Sequence, residues 1–452
     1  MVCQTRNVAS DLPSEVQSVS IRFASAVNAR IGLVPHCGRL AFFVSNGLAV
    51  SHAAIGATTM VASAQDFAGT KKLHGTVSPS MSHDLSASSN GSPQLSTAIA
   101  AIDGGLRYRG YAIEELVQHS NFAEVAFLVI QGELPTHEQL ADLQAILTEA
   151  AVLESDLVAW IERIPLNASA IDVMRTAISL IALADCHDDE SGSAAAWDTI
   201  QRLLAQLPVL VAARYRLARG LKVLESRDDL SYAGNLLWLL TGVEPTSTAE
   251  RACDALLILT AEHEFTPSTC AARVVASTRA DLYSAVIAGM CAIKGVWHGG
   301  PGHQIIDILE AVGQPDAAQP IVRAVLEQYE RVPGFWHRVY RTSDPRAELL
   351  APFCRAVAAE AGCNAMEQVA TAVESAVWDE QQIMPSLDWH AARLLHYLRL
   401  DADLFVPIFV ISRMVSWAAH YIEQQQSPQP IRPRGSYSGP ADRPFESLEE
   451  RG

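Results

Sequence analysis

Two histidines, one aspartate and a group of arginines stand where a helical chain has no packing need for them. His298 lies in Trp297-His-Gly-Gly-Pro-Gly-His303, just after an apolar run and before Gln304-Ile-Ile-Asp-Ile-Leu-Glu310. Its glycines free the backbone for close approach to a ligand. A helix starting there would aim unpaired N–H groups and its positive dipole end at the same spot. A histidine in that field is biased toward the neutral form and can donate to a developing oxyanion; the spacing also fits an ordinary glycine-rich turn between helices. His337 sits in Gly334-Phe-Trp-His-Arg-Val-Tyr-Arg-Thr-Ser-Asp-Pro-Arg346, one imidazole with three guanidinium groups. Such a cluster suits a dicarboxylate whose ketone or hydroxyl is held by the histidine, or else a solvated turn with surface arginines. Asp388, in Met384-Pro-Ser-Leu-Asp-Trp389, has the apolar company that raises a carboxyl toward general-base duty; its alternative role is to cap a helix over 389–398. Thr260-Ala-Glu-His263-Glu264 begins like H-E-x-x-H, but Pro267 at the fifth position excludes a zinc-protease helix. A single histidine between two glutamates is commonly structural. No ligand set has metal spacing and no Walker or dinucleotide loop occurs, so no metal or other cofactor is expected.

The elements that must position these groups read as helices. Ile113, Leu116 and Val117 give i, i+3, i+4 spacing, and Val125, Phe127, Leu128 and Ile130 continue it. Thr136 with Gln139 three residues on is a capping-box signature. Helices are expected at about 137–152, 170–185, 195–219, 228–241, 248–263, 269–294, 303–312, 317–329, 345–361, 363–377, 389–398 and 403–424. Alternating strand runs are almost absent, so the fold class is all-α. Tyr283 to Val296 is apolar nearly all round, the mark of a helix buried in a large bundle. Pro428, Pro430 and Pro433 end the last long helix in extended chain.

The 452 residues carry 33 Lys+Arg against 50 Asp+Glu, a formal charge of −17, which disfavours nucleic acid and anionic membrane faces as partners. Hydrophobic residues make up 49% and charged residues 18%, which excludes a disordered polar chain. The positive charge is nearly all arginine, since Lys71, Lys72, Lys222 and Lys294 are the only lysines; guanidinium forks suit carboxylates and phosphates. The eight cysteines form no C-x-x-C pair, which fits a reducing compartment. No apolar run approaches the roughly 18–20 residues needed to span a bilayer; Leu40 to Val50 is broken by Ser45, Asn46 and Gly47. Between Val16 and Lys72 only Asp66 is acidic, so the first ninety residues suit an organellar transit segment, a dispensable tail or an over-extended start. Ser80 to Pro93 reads as a linker.

Taken in order, the blocks resemble the citrate synthase family. The likeness starts at Thr97-Ala-Ile-Ala-Ala-Ile-Asp-Gly-Gly-Leu-Arg-Tyr-Arg-Gly-Tyr111 and Glu114-Glu-Leu116, and runs through Gly132-Glu-Leu-Pro135, Asp172-Val-Met-Arg-Thr176, Ala261-Glu-His-Glu264 and Arg273-Val-Val-Ala-Ser277. His298-Gly-Gly300, Asp344-Pro-Arg346, Phe409-Val-Ile-Ser-Arg413, Ala419-His-Tyr-Ile-Glu-Gln424 and Ile431-Arg-Pro-Arg434 complete it, covering residues 97 to 438. The resemblance implies an all-α fold of two domains that closes over its substrates. The expected division is an extension over 1–93, a large domain over 94–297 and 396–438, a small catalytic domain over 298–395, and a tail over 439–452. It implies condensation of acetyl-CoA, or propionyl-CoA, with oxaloacetate to give citrate or 2-methylcitrate plus CoA. This is tricarboxylic-acid-cycle chemistry in which the acyl group becomes an alkyl group and the CoA thioester is a substrate. Carried over by motif, Asp388 is the base, His298 stabilises the enolate and His337 polarises the ketone. His263, Arg346 and Arg413 hold the oxaloacetate carboxylates, with Arg432 reaching in from the partner subunit of a homodimer or a hexamer built as a trimer of dimers.

This sequence departs from the family pattern at Pro301-Gly302 for Ala-Asn, Trp336 for Gly, Pro385-Ser-Leu-Asp388 for Pro-Asn-Val-Asp, Ser169-Ala-Ile-Asp172 for His-Pro-Met-Asp, and Thr266-Pro-Ser-Thr269 for Asn-Ala-Ser-Thr. All seven ionic or catalytic side chains are kept while their neighbours drift, a pattern that points to altered substrate preference. Two alternatives share the same residues: a catalytically weak relative that binds CoA esters or dicarboxylates, and a lyase running citryl-CoA cleavage. The expected location is the cytoplasm, or the mitochondrial matrix if residues 1–90 are a transit segment.

Overall fold

The computed structural model describes residues 95–185, 193–329, 331–341 and 343–451. The readings of residues 1–93 as extension, targeting segment and linker lie outside the described residues. Among those described, three two-residue strands, β1 (Ala100–Ala101), β2 (Arg107–Tyr108) and β3 (Tyr111–Ala112), form a small antiparallel sheet in that order. Everything else regular is helical: α1 (Ile113–His119), α2 (Phe122–Gln131), α3 (His137–Glu149), α4 (Ser155–Glu162), α5 (Ala170–Ala184), α6 (Ser193–Leu217), α7 (Tyr232–Thr241) and α8 (Ser247–Thr260). There follow α9 (Pro267–Ser277), α10 (Leu282–Ile293), α11 (Gly302–Val312), α12 (Ala318–Tyr329), α13 (Pro345–Glu360), α14 (Asn364–Gln381), α15 (Leu387–Tyr397) and α16 (Phe405–Gln425). The all-α class holds.

Local chemistry sets most boundaries. The capping box at the start of α3 is formed as expected, the Thr136 hydroxyl accepting from the Gln139 N–H and the Gln139 side chain from the Thr136 N–H. The single helix expected over 269–294 is instead two. Arg279 adopts φ 67°, and Asp281 caps α10 by accepting from the Ser284 N–H. A polar cap thus breaks an apolar pattern that runs on through it. The buried helix α10 ends at Ile293, and Val296 is almost fully exposed.

Buried apolar side chains fall into two clusters. The larger draws on β2, α1–α10 and α13 and on most of α16. The smaller is built from α11, α12, α14 and the segment around Phe335. Helix α15 contributes to both: Leu387, Leu394 and Leu395 to the larger, Trp389 and Ala392 to the smaller. By length and composition, the segment Ala402–Gln425 is long and apolar enough to cross a membrane, which corrects the expectation that no run approaches that length. Here it is the central helix of the larger cluster, with Val410, Ile411, Met414, Val415, Trp417 and Ala418 all fully buried. Ser412, Arg413, Ser416 and His420 interrupt the apolar sequence and are buried too, so this helix carries a polar stripe into the interior.

Candidate active site

The polar stripe meets the ends of α8 and α9. The Ser412 hydroxyl lies 2.7 Å from that of Thr260, and Ser416 3.2 Å from Thr269. Arg413 donates from Nε to the Thr260 carbonyl at 2.9 Å and from Nη1 to Thr266 Oγ1 at 3.4 Å. It is 1% exposed and has no carboxylate within ion-pair distance among the described residues. Burial pulls its guanidinium down to about 10 from an ordinary value of 12.5. A desolvated cation with no carboxylate in direct contact is costly, Glu262 behind it offsetting only part of that cost, and an anionic ligand is the natural way to match it. Glu262 is fully buried behind it and faces His420 at 3.4 Å. Burial pushes that carboxyl up, but His420, the Arg413 charge and Ser416 together keep it below the usual carboxylate value.

His298 follows the end of α10 in a short loop and turns its Nε2 to the first turn of α9, where the Ser268 N–H donates at 3.2 Å and the Ser268 hydroxyl lies at 2.7 Å. Accepting there leaves the proton on Nδ1, the nitrogen free to donate outward. The helix N-terminus that meets this imidazole therefore belongs to α9, not to the following helix α11 as the sequence suggested. Burial first, then the Arg413 charge, brings the His298 pKa down to about 4, so the ring is neutral at physiological pH. Gly300, two residues on, has φ +81°, and a Cβ built there would sit 3.4 Å from Asp388 Oδ1. The glycine is what lets this loop lie against the carboxylate.

Asp388 occupies the first turn of α15, whose N-cap is Ser386. The capping alternative is thereby excluded, and the carboxylate instead lines a cavity with Gly299, Gly300 and Gly302. The residue is exposed through that cavity, yet the protein packed around the carboxyl raises its pKa, opposed by Arg346 and reinforced by Asp344. The loop before α15 is tied to the segment bearing His337: Phe335 bridges Pro385, and the Ser386 N–H donates to the Gly334 carbonyl at 2.8 Å.

His337 Nδ1 accepts from the N–H groups of Val339 and Tyr340 at 3.1 and 3.2 Å, so its proton sits on Nε2. That nitrogen lies 3.3 Å from Arg346 Nη2. Two donors thus converge on one point, which suits an acceptor oxygen. Burial and Arg346 bring His337 down to about 4. Arg346 is held by Asp344 through two hydrogen bonds of 3.0 and 2.8 Å. Asp344 also accepts from the Leu387 N–H at 3.1 Å, joining Arg346 to the helix of Asp388. Burial acts to raise the Asp344 pKa, but the guanidinium beside it prevails and holds the carboxyl below its usual range. Of the three arginines near His337, Arg338 and Arg341 are exposed and only Arg346 turns inward.

His263, in the loop between α8 and α9, completes the group. Its ring lies 5.2 Å from that of His337, and Nε2 is 3.2 Å from the Tyr340 hydroxyl. Burial, together with Arg346, Arg413 and His337, takes its pKa well below 6.5. Arg432 is not in this cluster. It lies exposed on extended chain after α16, next to Ile431, whose N–H donates to Ser277 Oγ at 2.9 Å.

Two neutral imidazole donors, a carboxylate facing a cavity and two buried guanidinium groups can hold a dicarboxylate and abstract a proton beside it. The citrate synthase C-terminal domain family matches residues 88–434 by its sequence profile. The chain belongs to the citrate synthase family. Citrate synthase 2 of Bacillus subtilis is 36% identical over 357 residues, covering 79% of this chain and 96% of that one. A 2-methylcitrate synthase of Shewanella oneidensis is 34% identical over 360 residues, covering 79% and 95%. Among solved structures, citrate synthase of Pyrobaculum aerophilum superposes with a TM-score of 0.70 at 34% identity, covering 79% of this chain and 93% of that one. The Thermoplasma acidophilum citrate synthase, in ternary complex with carboxymethyl coenzyme A and oxaloacetate, gives a TM-score of 0.72 at 25% identity over 79% of this chain and 97% of that one.

Within this citrate synthase family member, the sequence did not single out three residues that build the site. Ser268 fixes the His298 tautomer, Tyr340 bridges the two histidine rings, and Asp344 couples Arg346 to α15. Ser268 and Asp344 both stand beside a proline at a helix start, a signal that marks a cap but not what the cap faces.

Proposed function

We propose that this chain condenses an acyl-CoA with oxaloacetate, giving citrate or 2-methylcitrate and CoA, with Asp388, His298 and His337 as its catalytic groups. The observation that carries this reading is the Asp388 carboxylate lying against Gly300, two residues from an imidazole whose tautomer leaves a donor free. A thioester α-carbon is a weak acid, so a carboxylate deprotonates it only if the enolate oxygen is stabilised at the same time. Asp388 takes the α-proton while the His298 N–H donates to the thioester oxygen. The nucleophilic carbon attacks the ketone of oxaloacetate, whose oxygen takes the His337 Nε2 proton and becomes the hydroxyl, the imidazole regaining a proton that balances the one Asp388 took from the thioester. Water then cleaves the citryl thioester, releasing CoA. Arg346, Arg413 and His263 hold the carboxylates of the dianion, bidentate arginine contacts fixing its orientation as well as its charge.

Arg432 belongs, in this reading, to the site of a partner subunit. Its exposure and its lack of any hydrogen bond or ion pair among the described residues support a homodimer as the working unit, with a trimer of dimers as the larger form. The separate apolar cluster of α11, α12 and α14 supports a small domain that closes over the dianion before the thioester site is complete. CoA enters as a substrate and no cofactor takes part. The acidic charge argues against nucleic acid or a membrane as partner, and the free thiols of Cys253, Cys270, Cys291, Cys354 and Cys363 suit the cytoplasm. A thiol-release assay with oxaloacetate and acetyl- or propionyl-CoA tests the proposal. CoA release is expected; none above background with either donor overturns it.

A further inference from the structure

We infer that the preferred acyl donor is propionyl-CoA, and that an apolar cavity between α15 and α16 receives its terminal methyl group. The inference rests on Asp388 being the base. The carbon that loses its proton to Asp388 must lie against that carboxylate, so a substituent on it lies within two bonds. Asp388 lines a cavity of about 50 Å³ whose other walls include Leu256, Leu387, Ala391, Leu395, Phe405 and Phe409. The one hydroxyl on its wall, Thr260, is already engaged, bonded to the Leu256 carbonyl and to Ser412 at 2.7 Å each. The space therefore asks for hydrocarbon. An apolar cavity of about 150 Å³ holds a six-carbon ring, so 50 Å³ takes roughly two or three heavy atoms. The methyl carbon of an acetyl group fills part of it and leaves the remaining wall atoms without dispersion partners; one more carbon completes the contact, and a longer chain meets the far wall.

One wall residue departs from the family pattern. Gly302, where the family usually carries asparagine, lets the Phe405 ring lie on the loop backbone, and a Cβ there would overlap that ring. Ala391, one turn along α15 from Leu387, keeps the cavity from being filled from its own helix.

The test measures kcat/KM for acetyl-, propionyl- and butyryl-CoA with oxaloacetate, in the wild type and in Ala391→Val and Ala391→Leu, with circular dichroism and thermal unfolding to confirm that each variant is folded. One methylene in an apolar pocket discriminates by about 10-fold or more. Propionyl-CoA is expected to exceed both other donors by about that factor, and filling the cavity to lower the propionyl-to-acetyl ratio by a similar one. A wild type that uses acetyl-CoA as well as or better than propionyl-CoA overturns the inference while leaving the synthase reading intact. So does a ratio that neither folded Ala391 variant moves. CoA release from none of the three donors sinks the synthase reading itself.

Discussion

Replacing Arg413 by methionine is expected to make the ligand-free protein more stable and at the same time insensitive to oxaloacetate. Methionine keeps the length of the side chain and removes its charge. The fall of the guanidinium from 12.5 to about 10, at about 1.36 kcal/mol for each tenfold change, amounts to about 3 kcal/mol against the folded state. Because the folded value of this base is depressed, the penalty is fully present below pH 10 and fades only as pH rises through 10 toward 12.5, so a measurement at pH 7 sees all of it. Against that gain stands the loss of the hydrogen bond to the Thr260 carbonyl, about 1 kcal/mol, and of the guanidinium stacked 4.8 Å from the Phe409 ring, about 0.5–1 kcal/mol. The balance favours the variant by about 1–2 kcal/mol, a rise of a few degrees in thermal midpoint. Oxaloacetate at about 100 times its Kd stabilises the wild type by about 2.7 kcal/mol and should leave the variant unmoved. Thermal unfolding of both proteins, with and without oxaloacetate, therefore shows the order of the two midpoints inverting on ligand addition. A variant that melts below the wild type without ligand, or that oxaloacetate still shifts, refutes the view of Arg413 as an unmatched charge awaiting a carboxylate.

Asp388→Asn should lower kcat by about 10²–10⁴ while oxaloacetate affinity, read by calorimetry, stays close to wild type; near-normal turnover would place the base elsewhere. With His298 and His337 both near 4, kcat/KM should stay level through the region around pH 6.5 where a free histidine titrates and fall only at lower pH, and an acid limb centred near 6.5 would contradict the neutral donors. Folded-state stability should fall over the same descent from about 6.5 toward 4, since the unfolded chain takes up protons there first. Trp336 adopts φ 122°, where side chains are strained. Trp336→Gly should accordingly melt above Trp336→Ala by about 1 kcal/mol or more, the reverse of the usual order; an alanine variant at least as stable would show that no strain resides there. Arg432→Ala should raise KM for oxaloacetate without lowering the thermal midpoint, and an unchanged KM would remove Arg432 from the site.

Much of the architecture is legible in the sequence because it is local. The capping box at Thr136, the apolar period of α2 and the prolines after α16 act within a few residues, and each appears where the pattern puts it. What escapes is set by distant partners. The imidazole of His298 is oriented by an amide thirty residues earlier, and Asp344 reaches forty-three residues on to the Leu387 N–H. No spacing rule encodes either. The 269–294 segment reads as one helix because its apolar pattern is continuous, while the break comes from one backbone angle and one cap. The seven ionic side chains are legible through family likeness, and six of them gather in this chain; the seventh, Arg432, lies exposed outside the cluster.

Helix α15 belongs to both apolar clusters and carries Asp388 in its first turn. Its packing on both sides ties the Asp388 backbone to two hydrophobic cores at once, so a repacking substitution in either core is felt at this carboxylate through a single helix.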